Sequence, residues 1–159
     1  MSSTQERRLE LKFVFPVNEF NRFRWWKAKT GSAFRPHYPD RHIHNIYFDS
    51  PDCSDYHLAA EGMPDRTKHR LRYYGSTPPK TFRYEIKSKT RGITSKRVYP
   101  LKGGLQLSDS NKLRHSLAAT LRKTHKLNFS EHSNPTVINR YWRTYYKHRN
   151  GVRLTIDRE

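Results

Sequence analysis

The pattern that most constrains this chain is an alternation of apolar and charged residues with a period of two. Such alternation places apolar side chains on one face of a β-strand and charged side chains on the other. In the segment 67–74, Lys68, Arg70 and Arg72 share one phase, and Leu71 and Tyr73 share the other. The pattern predicts strands at residues 8–15, 42–48, 67–74, 81–89, 95–101, 137–146 and 152–157.

Three helices are predicted between these strands. The first covers residues 18–29, and the second opens at residues 50–52, where serine precedes proline, and closes at Gly62. The third begins after residue 108 or 109 and runs to about residue 126, because Leu113, Leu117 and Leu121 recur at every fourth position. These elements predict an α+β fold in a single domain, residues 1–159, whose antiparallel strands form either an open sheet or a closed barrel.

The charge balance predicts a polyanionic partner. The 159 residues include 32 Lys and Arg against 14 Asp and Glu, a formal net charge of +18. Such a charge favours nucleic acid, an acidic membrane or a polyphosphorylated ligand. An aromatic content of 13% excludes an unfolded polyelectrolyte.

Several other classes of protein are excluded. The lone Cys53 cannot build a disulfide framework or a cysteine-rich zinc site. No run of about 18 apolar residues is present, so we expect no transmembrane segment. The first residues include no apolar signal region, so we expect a cytoplasmic protein.

Seven basic residues recur at one strand phase. They are Lys12, Arg70, Arg72, Lys87, Lys96, Arg143 and Arg153. If this phase lined a barrel, the desolvated cations would need partners, and phosphate oxygens would suit them. If it faced water on an open sheet, it would be an ordinary hydrated surface. The pattern alone leaves both arrangements open.

Six motifs carry a resemblance to a known family. In chain order they begin at Arg8 (RLELKF), Ile46 (IYFDSPD), Lys68 (KHRLRYYG), Tyr84 (YEIKSK), Asn139 (NRYWR) and Val152 (VRLTID). No single motif is decisive, but the ordered set resembles the VTC domain. This domain is the catalytic module of polyphosphate polymerases of the vacuolar transporter chaperone type, which are triphosphate tunnel metalloenzymes. The resemblance covers about residues 8–157.

The resemblance implies an antiparallel tunnel of eight strands, of which about seven are present here, with about three flanking helices. It implies binding of the ATP triphosphate with a divalent metal, and transfer of the terminal phosphoryl group to a growing polyphosphate chain. Lys12 matches the lysine of the family's first strand, and Arg70 and Arg72 match its Arg-x-Arg motif. Lys87 matches the lysine of Glu-x-Lys, and Lys96 the next basic residue. Arg143 and Arg153 match the late arginine pair, so all seven are implied to bind phosphate.

Acidic residues at the same phase are the candidate metal ligands. Mg²⁺ and Mn²⁺ prefer carboxylate and phosphate oxygens. Glu10 and Glu85 are therefore predicted to hold Mg²⁺ or Mn²⁺, with Asp157 as the other acidic residue at this phase. The alternative is that Glu10 and Glu85 balance neighbouring cations.

The chain departs from the family pattern after residue 157. The family adds later strands that hold a metal-binding glutamate and another tunnel lysine, whereas this sequence ends at Glu159. We therefore expect a tunnel that is unclosed or is closed by another chain, association through the free edge of the last strand, and little or no polyphosphate synthesis by this chain alone. A tunnel-fold triphosphatase and a nucleic-acid-binding module on an open sheet are the alternative functions.

Overall fold

The computed structural model describes residues 10–29, 33–75, 79–129 and 133–159. Its internal contacts divide the chain into two compact units. The first unit consists of Met1–His37 and Tyr146–Leu154, and the second of Tyr38–Tyr145 and Thr155–Glu159. Each unit is described by itself below.

Three α-helices and seven strands make up the described residues, after one 3-10 turn at Val17–Glu19. The helices are α1 (Phe20–Lys29), α2 (Ser54–Ala60) and α3 (Ser110–His125). The strands are β1 (Phe34–Pro36), β2 (Arg41–Asp49), β3 (Arg66–Tyr74), β4 (Thr81–Thr90), β5 (Ile93–Lys102), β6 (Asn134–His148) and β7 (Arg153–Arg158). The α+β class, the three helices and the antiparallel sheet are confirmed.

The sheet has the strand order β1-β6-β2-β3-β4-β5, and β7 also pairs with β6. Neighbours from β6 through β2, β3 and β4 to β5 are antiparallel. In the described part of the chain, β5 pairs only with β4. Within the same ranges, no helix combines the length and the apolar character needed to cross a bilayer.

The core of the second unit lies between one face of the sheet and α3. Leu71 and Tyr84 from β3 and β4 are buried there with Leu113, Leu117 and Leu121 of the helix. The carboxylate of Asp109 caps α3 by accepting a hydrogen bond of 2.8 Å from the Lys112 amide. The predicted third helix is confirmed. Its leucines, spaced four residues apart, lie on one side of the helix and form its buried apolar surface.

The first predicted strand, 8–15, is wrong for the residues that the structure describes. Residues 10–16 form no strand, and Leu11 and Phe13 are exposed; residues 8 and 9 lie outside the described ranges. Alternation of apolar and charged residues makes a segment compatible with a β-strand. The strand forms only when a neighbouring strand satisfies its backbone hydrogen bonds. Conversely, β1 forms at a segment for which no strand was predicted, and it pairs with β6 at Phe34 and His148.

The second helix begins later than predicted, at Ser54 instead of the proline-containing turn before it. The N-cap position is occupied by Cys53, whose side chain forms no capping hydrogen bond. The buried carboxylate of Asp49 at the end of β2 instead accepts hydrogen bonds from the amides of Asp55 (3.0 Å) and Tyr56 (2.9 Å). The Ser50 hydroxyl accepts a further bond from the Ser54 amide. A carboxylate at a helix start also interacts favourably with the helix dipole, so Asp49 and Ser50 together satisfy the first amides of α2 from outside the helix.

Candidate functional site

Strand register brings five of the seven predicted cations onto one face of the sheet in the second unit. Residues directly opposite each other in neighbouring strands share a face. Tyr47 is opposite Arg70, which is opposite Glu85. The five predicted cations on this face, which we call the cationic face, are Arg70, Arg72, Lys87, Lys96 and Arg143. The apolar core covers the other face.

A buried carboxylate organises the centre of the cationic face. Glu85 is only 2% exposed. Its Oε2 accepts a hydrogen bond of 2.6 Å from Arg70 Nε, and Arg70 Nη2 lies 2.5 Å from the same oxygen. The amine of Lys96 lies 3.1 Å from Oε1 as an ion pair, although its angle is not that of a hydrogen bond. Glu85 is therefore shared between two cations.

The charge state of this pair follows from its surroundings. Burial alone would raise the pKa of Glu85, but the charge and hydrogen bond of Arg70, followed by the interaction with Lys96, lower it overall. Burial opposes the charge of Arg70, yet the hydrogen bond to Tyr47 and the interaction with Glu85 raise the Arg70 pKa. Both groups are ionised at neutral pH, so Arg70 is held in place rather than neutralised by proton transfer.

Arg72 has a different environment, formed by amides. It is 8% exposed, and its Nε donates a hydrogen bond of 2.7 Å to Asn45 Oδ1. Asn45 in turn donates a bond of 2.7 Å to Asn139 Oδ1. Among the described residues, Arg72 forms no ion pair with a carboxylate. The two asparagines therefore orient its guanidinium without reducing its positive charge.

Sequence analysis did not identify Asn45 and Asn139 as site residues. Both lie at the phase of the predicted cations, on β2 and β6, and they are directly opposite each other. Asparagine is depleted in strands because its side chain competes for backbone hydrogen bonds. The presence of an asparagine inside a predicted strand was therefore the sequence signal that could have identified these two residues as site candidates.

Lys87 and Lys96 add unpaired or partly paired positive charge at the edge of the cationic face. Lys87 is exposed and lies opposite Lys68 on β3 and Lys96 on β5. Like charges directly opposite each other destabilise a sheet by about 0.2–1 kcal/mol. A bound anion would offset this repulsion.

The positive charge of Arg143 is neutralised by a carboxylate, although its predicted role is to bind phosphate. Its Nε and Nη2 atoms donate to the two carboxylate oxygens of Asp157 at 2.5 and 2.6 Å. The hydrogen bond that Arg143 donates to Asp157 is the largest of the contributions that raise the pKa of Arg143. This bidentate pair joins β6 to β7 and leaves Arg143 with less free charge than Arg72.

The remaining two predicted cations belong to the first unit. Lys12 lies in a segment without strand structure, and its amine is 3.8 Å from Glu10 Oε1, with both side chains exposed. Arg153 is exposed at the first position of β7. Their participation in the phosphate site stays a prediction.

The predicted metal ligands do not fit a resident metal site. Both oxygens of Glu85 already contact cations, and Glu10 is an exposed residue of the first unit. Over the described ranges, no group of three or more Asp, Glu, His or Cys side chains is placed to hold an ion. Binding of Mg²⁺ or Mn²⁺ stays a prediction, best pictured as an ion that accompanies the phosphates.

Comparison with known proteins identifies the family of this chain. The family model described as the VTC domain matches residues 2–159. A search among curated proteins found no match. Because the match extends over nearly the whole chain, we conclude that this protein belongs to the VTC domain family, which indicates a polyphosphate-related function.

Proposed function

We propose that the chain is a polyphosphate polymerase-type domain that binds the triphosphate of ATP and the end of a polyphosphate chain on its cationic face. The observation that carries this proposal is the excess of positive over negative charge on that face. Four cations, Arg70, Arg72, Lys87 and Lys96, share this face; Arg70 and Lys96 contact the buried carboxylate of Glu85, whereas Arg72 and Lys87 form no ion pair with a carboxylate among the described residues. A ligand with several linked phosphates is the partner that matches such an excess of positive charge.

The preference for a triphosphate follows from the spacing of the cations across three neighbouring strands. One phosphate reaches only some of these side chains, whereas linked phosphates engage several at once. Each hydrogen bond to a charged group contributes about 1.5–3 kcal/mol. ATP and tripolyphosphate should therefore bind more tightly than AMP.

The proposed reaction is phosphoryl transfer. A terminal oxygen of the polyphosphate chain attacks the γ-phosphorus of ATP, the bond from this phosphorus to the β–γ bridging oxygen breaks, and ADP leaves with the electron pair. Catalysis of this type depends on positioning and charge stabilisation more than on a covalent intermediate. Arg72, held by Asn45, and Arg70, held by Glu85, would stabilise charge on the phosphate oxygens. Charge on the phosphates is further neutralised when Mg²⁺ or Mn²⁺ is bound to them.

The test is calorimetry with tripolyphosphate, ATP and AMP on the wild type and on Arg72→Gln. We expect tripolyphosphate and ATP to bind more tightly than AMP, and Arg72→Gln to weaken tripolyphosphate binding at least about tenfold, the equivalent of one charged hydrogen bond. The matched control is Arg122→Gln on the exposed side of α3, which should change little. Equal affinity for all three ligands would contradict the proposal, because it indicates nonspecific attraction to a basic surface.

The products of incubation with ATP and Mn²⁺ distinguish the related reactions. Lengthening polyphosphate on a gel identifies a polymerase, and orthophosphate without chain growth identifies a triphosphatase. Tighter binding of single-stranded DNA than of tripolyphosphate at physiological salt would instead identify a nucleic-acid-binding module, since low salt favours any polyanion.

A further inference from the structure

A second cluster of cations lies in the first unit, where β1 pairs with the end of β6. Arg35 is directly opposite Lys147. The amide of Arg149 donates a hydrogen bond to the Ala33 carbonyl at 3.3 Å, which extends the pairing by one step. Residues directly opposite each other share a face, so Arg35 and Lys147 present their side chains on the same side of this strand pair. Arg149 follows in the turn after β6 and lines the same groove.

These side chains line a groove of about 450 Å³. Its walls are formed by residues 33, 35–37 and 147–149, and they include no aspartate or glutamate. Within the described residues, this distinguishes the cluster from other cations that have a carboxylate partner. Arg22 donates to Glu19 at 2.9 Å in the same unit, and Arg70 and Arg143 have carboxylate partners in the second unit.

The cross-strand pair of Arg35 and Lys147 is unfavourable by itself. Like charges directly opposite each other destabilise a strand pair, and β1 has only three residues with which to offset this repulsion. A bound anion would convert the repulsion into two favourable interactions. The groove therefore has a positive charge and a volume suited to an anion, and a bound anion would relieve the repulsion between its cations.

We propose that the groove formed by Arg35, Lys147 and Arg149 is a second anion site that takes a condensed phosphate chain. The groove walls include no Phe, Tyr or Trp; their rings are those of His37 and His148, and His148 already packs against Phe34 with ring centroids 5.0 Å apart. The three cations without a large stacking surface favour a ligand made of phosphates over a nucleic acid. The inference that the ligand in the cell is polyphosphate rests on the proposed function. The inference that this groove binds a phosphate chain does not depend on the proposed function.

The experiment counts binding sites by calorimetry with tripolyphosphate. We expect two sites in the wild type and one in the variant R35Q/K147Q/R149Q, with the affinity of the remaining site unchanged. The matched control is K112Q/R122Q/K123Q, which removes the same charge from exposed positions of α3 and should keep two sites. The charge-preserving variant R35K/K147R/R149K should also keep two sites.

Thermal unfolding without ligand separates loss of the site from loss of the fold. Because the substitutions remove a repulsion, R35Q/K147Q/R149Q should melt at the same temperature as the wild type or higher. Tripolyphosphate should raise the melting temperature of the wild type more than that of this variant, since only the wild type binds through both sites.

Three other results would overturn the inference, and a fourth would support it while rejecting the proposed function. Two sites of unchanged affinity in R35Q/K147Q/R149Q, or an equal loss in the α3 control, would show that the groove is ordinary basic surface. Stronger binding of a single-stranded oligonucleotide than of a polyphosphate of equal charge, lost in the same variant, would assign the groove to nucleic acid. Loss of binding in Arg72→Gln alone, with no effect of the groove variant, would leave the proposed function standing and reject this inference. The reverse pattern would reject the proposed function and support the groove.

Discussion

At the scale of single residues, Glu85 is a carboxylate that orders cations of the proposed phosphate site. It is almost completely buried and contacts both Arg70 and Lys96. A carboxylate in this position fixes two flexible cationic side chains before a ligand arrives, which reduces the entropy lost on binding. It also reduces the positive charge that the ligand meets. Ordering of the cationic side chains favours ligand binding, whereas the reduced positive charge opposes it.

Glu85→Gln should destabilise the protein by about 3 kcal/mol, because removing one partner of a buried ion pair leaves the other charge uncompensated. Tripolyphosphate should recover part of this loss by supplying the missing negative charge to Arg70. The measurement is urea unfolding with and without tripolyphosphate, and the increase in stability on ligand addition should be larger in Glu85→Gln than in the wild type.

Glu61→Gln is the control for this prediction, since Glu61 is exposed at the end of α2. Surface substitutions of this kind usually change stability by no more than about 0.5 kcal/mol. A Glu85→Gln protein as stable as the Glu61→Gln control would show that Glu85 does not carry the ion-pair network.

At the scale of elements, α3 supports the sheet from the side opposite to the cationic face. Leu113, Leu117 and Leu121 are each no more than 3% exposed, and they pack against strands whose other faces carry Arg70, Arg72 and Glu85. The helix is therefore a support for the register of β3 and β4. It has no contact of its own with the predicted ligand in this arrangement.

Leu117→Ala should lower the free energy of unfolding by about 2–5 kcal/mol, because it removes apolar contacts and leaves a cavity in the core. Chemical denaturation measures this loss. Ala119→Gln, at an exposed position on the same helix, is the matched control and should stay within about 0.5 kcal/mol.

The same pair of variants tests whether α3 acts only as a support. Calorimetry below the unfolding transition should give tripolyphosphate affinities close to that of the wild type for both proteins. A Leu117→Ala protein that is fully folded but binds tripolyphosphate tenfold more weakly would contradict this view, because it would place α3 in the binding site.

At the scale of the whole molecule, a net charge of +18 makes folding sensitive to further protonation. Two histidines in the second unit have lowered pKa values. Burial, followed by the positive charge of Arg97, lowers the pKa of His69, whose Nδ1 lies 2.7 Å from the Tyr84 hydroxyl in the core. Burial is also the largest cause of the lowered pKa of His44.

Stability should therefore fall on acidification. As the pH falls through the ordinary histidine pKa of 6.5, the unfolded chain takes up protons that native His69 and His44 still refuse, so the unfolded state is favoured. Glu85, with its lowered pKa, should cause a second loss at more acidic pH as its carboxylate is protonated. For a chain of this size, a loss of about 1 kcal/mol corresponds to a fall in melting temperature of about 2–4 °C.

The measurement is the melting temperature at a series of pH values between about 7.5 and 5.5, the range in which histidine titrates. His69→Gln should flatten this dependence, because it removes the buried group that resists protonation. His115→Gln, at an exposed position of α3, should leave the slope unchanged. Equal slopes for the wild type and His69→Gln would contradict the assignment to His69.

The sequence by itself determined the elements whose signals are local. The leucine spacing and the Asp109 cap specify α3, and alternation specifies β3 and β4. Alternation also predicted that Arg70 and Arg72 share a face, because the side-chain period of a strand is fixed by its backbone. These properties depend on residues close together in the chain, so they can be read without knowing the fold.

Tertiary structure alone decided which cations have partners and which segments become strands. Glu85 lies 15 positions from Arg70, and Asp157 lies 14 from Arg143, so each ion pair exists only because strand register brings its members together. The alternating segment at residues 10–15 forms no strand, whereas Phe34–Pro36 does so because β6 offers it hydrogen-bonding partners. The physical reason is that periodicity fixes where a side chain points relative to its own strand, while charge neutralisation and strand formation depend on a second segment whose position only the folded chain specifies.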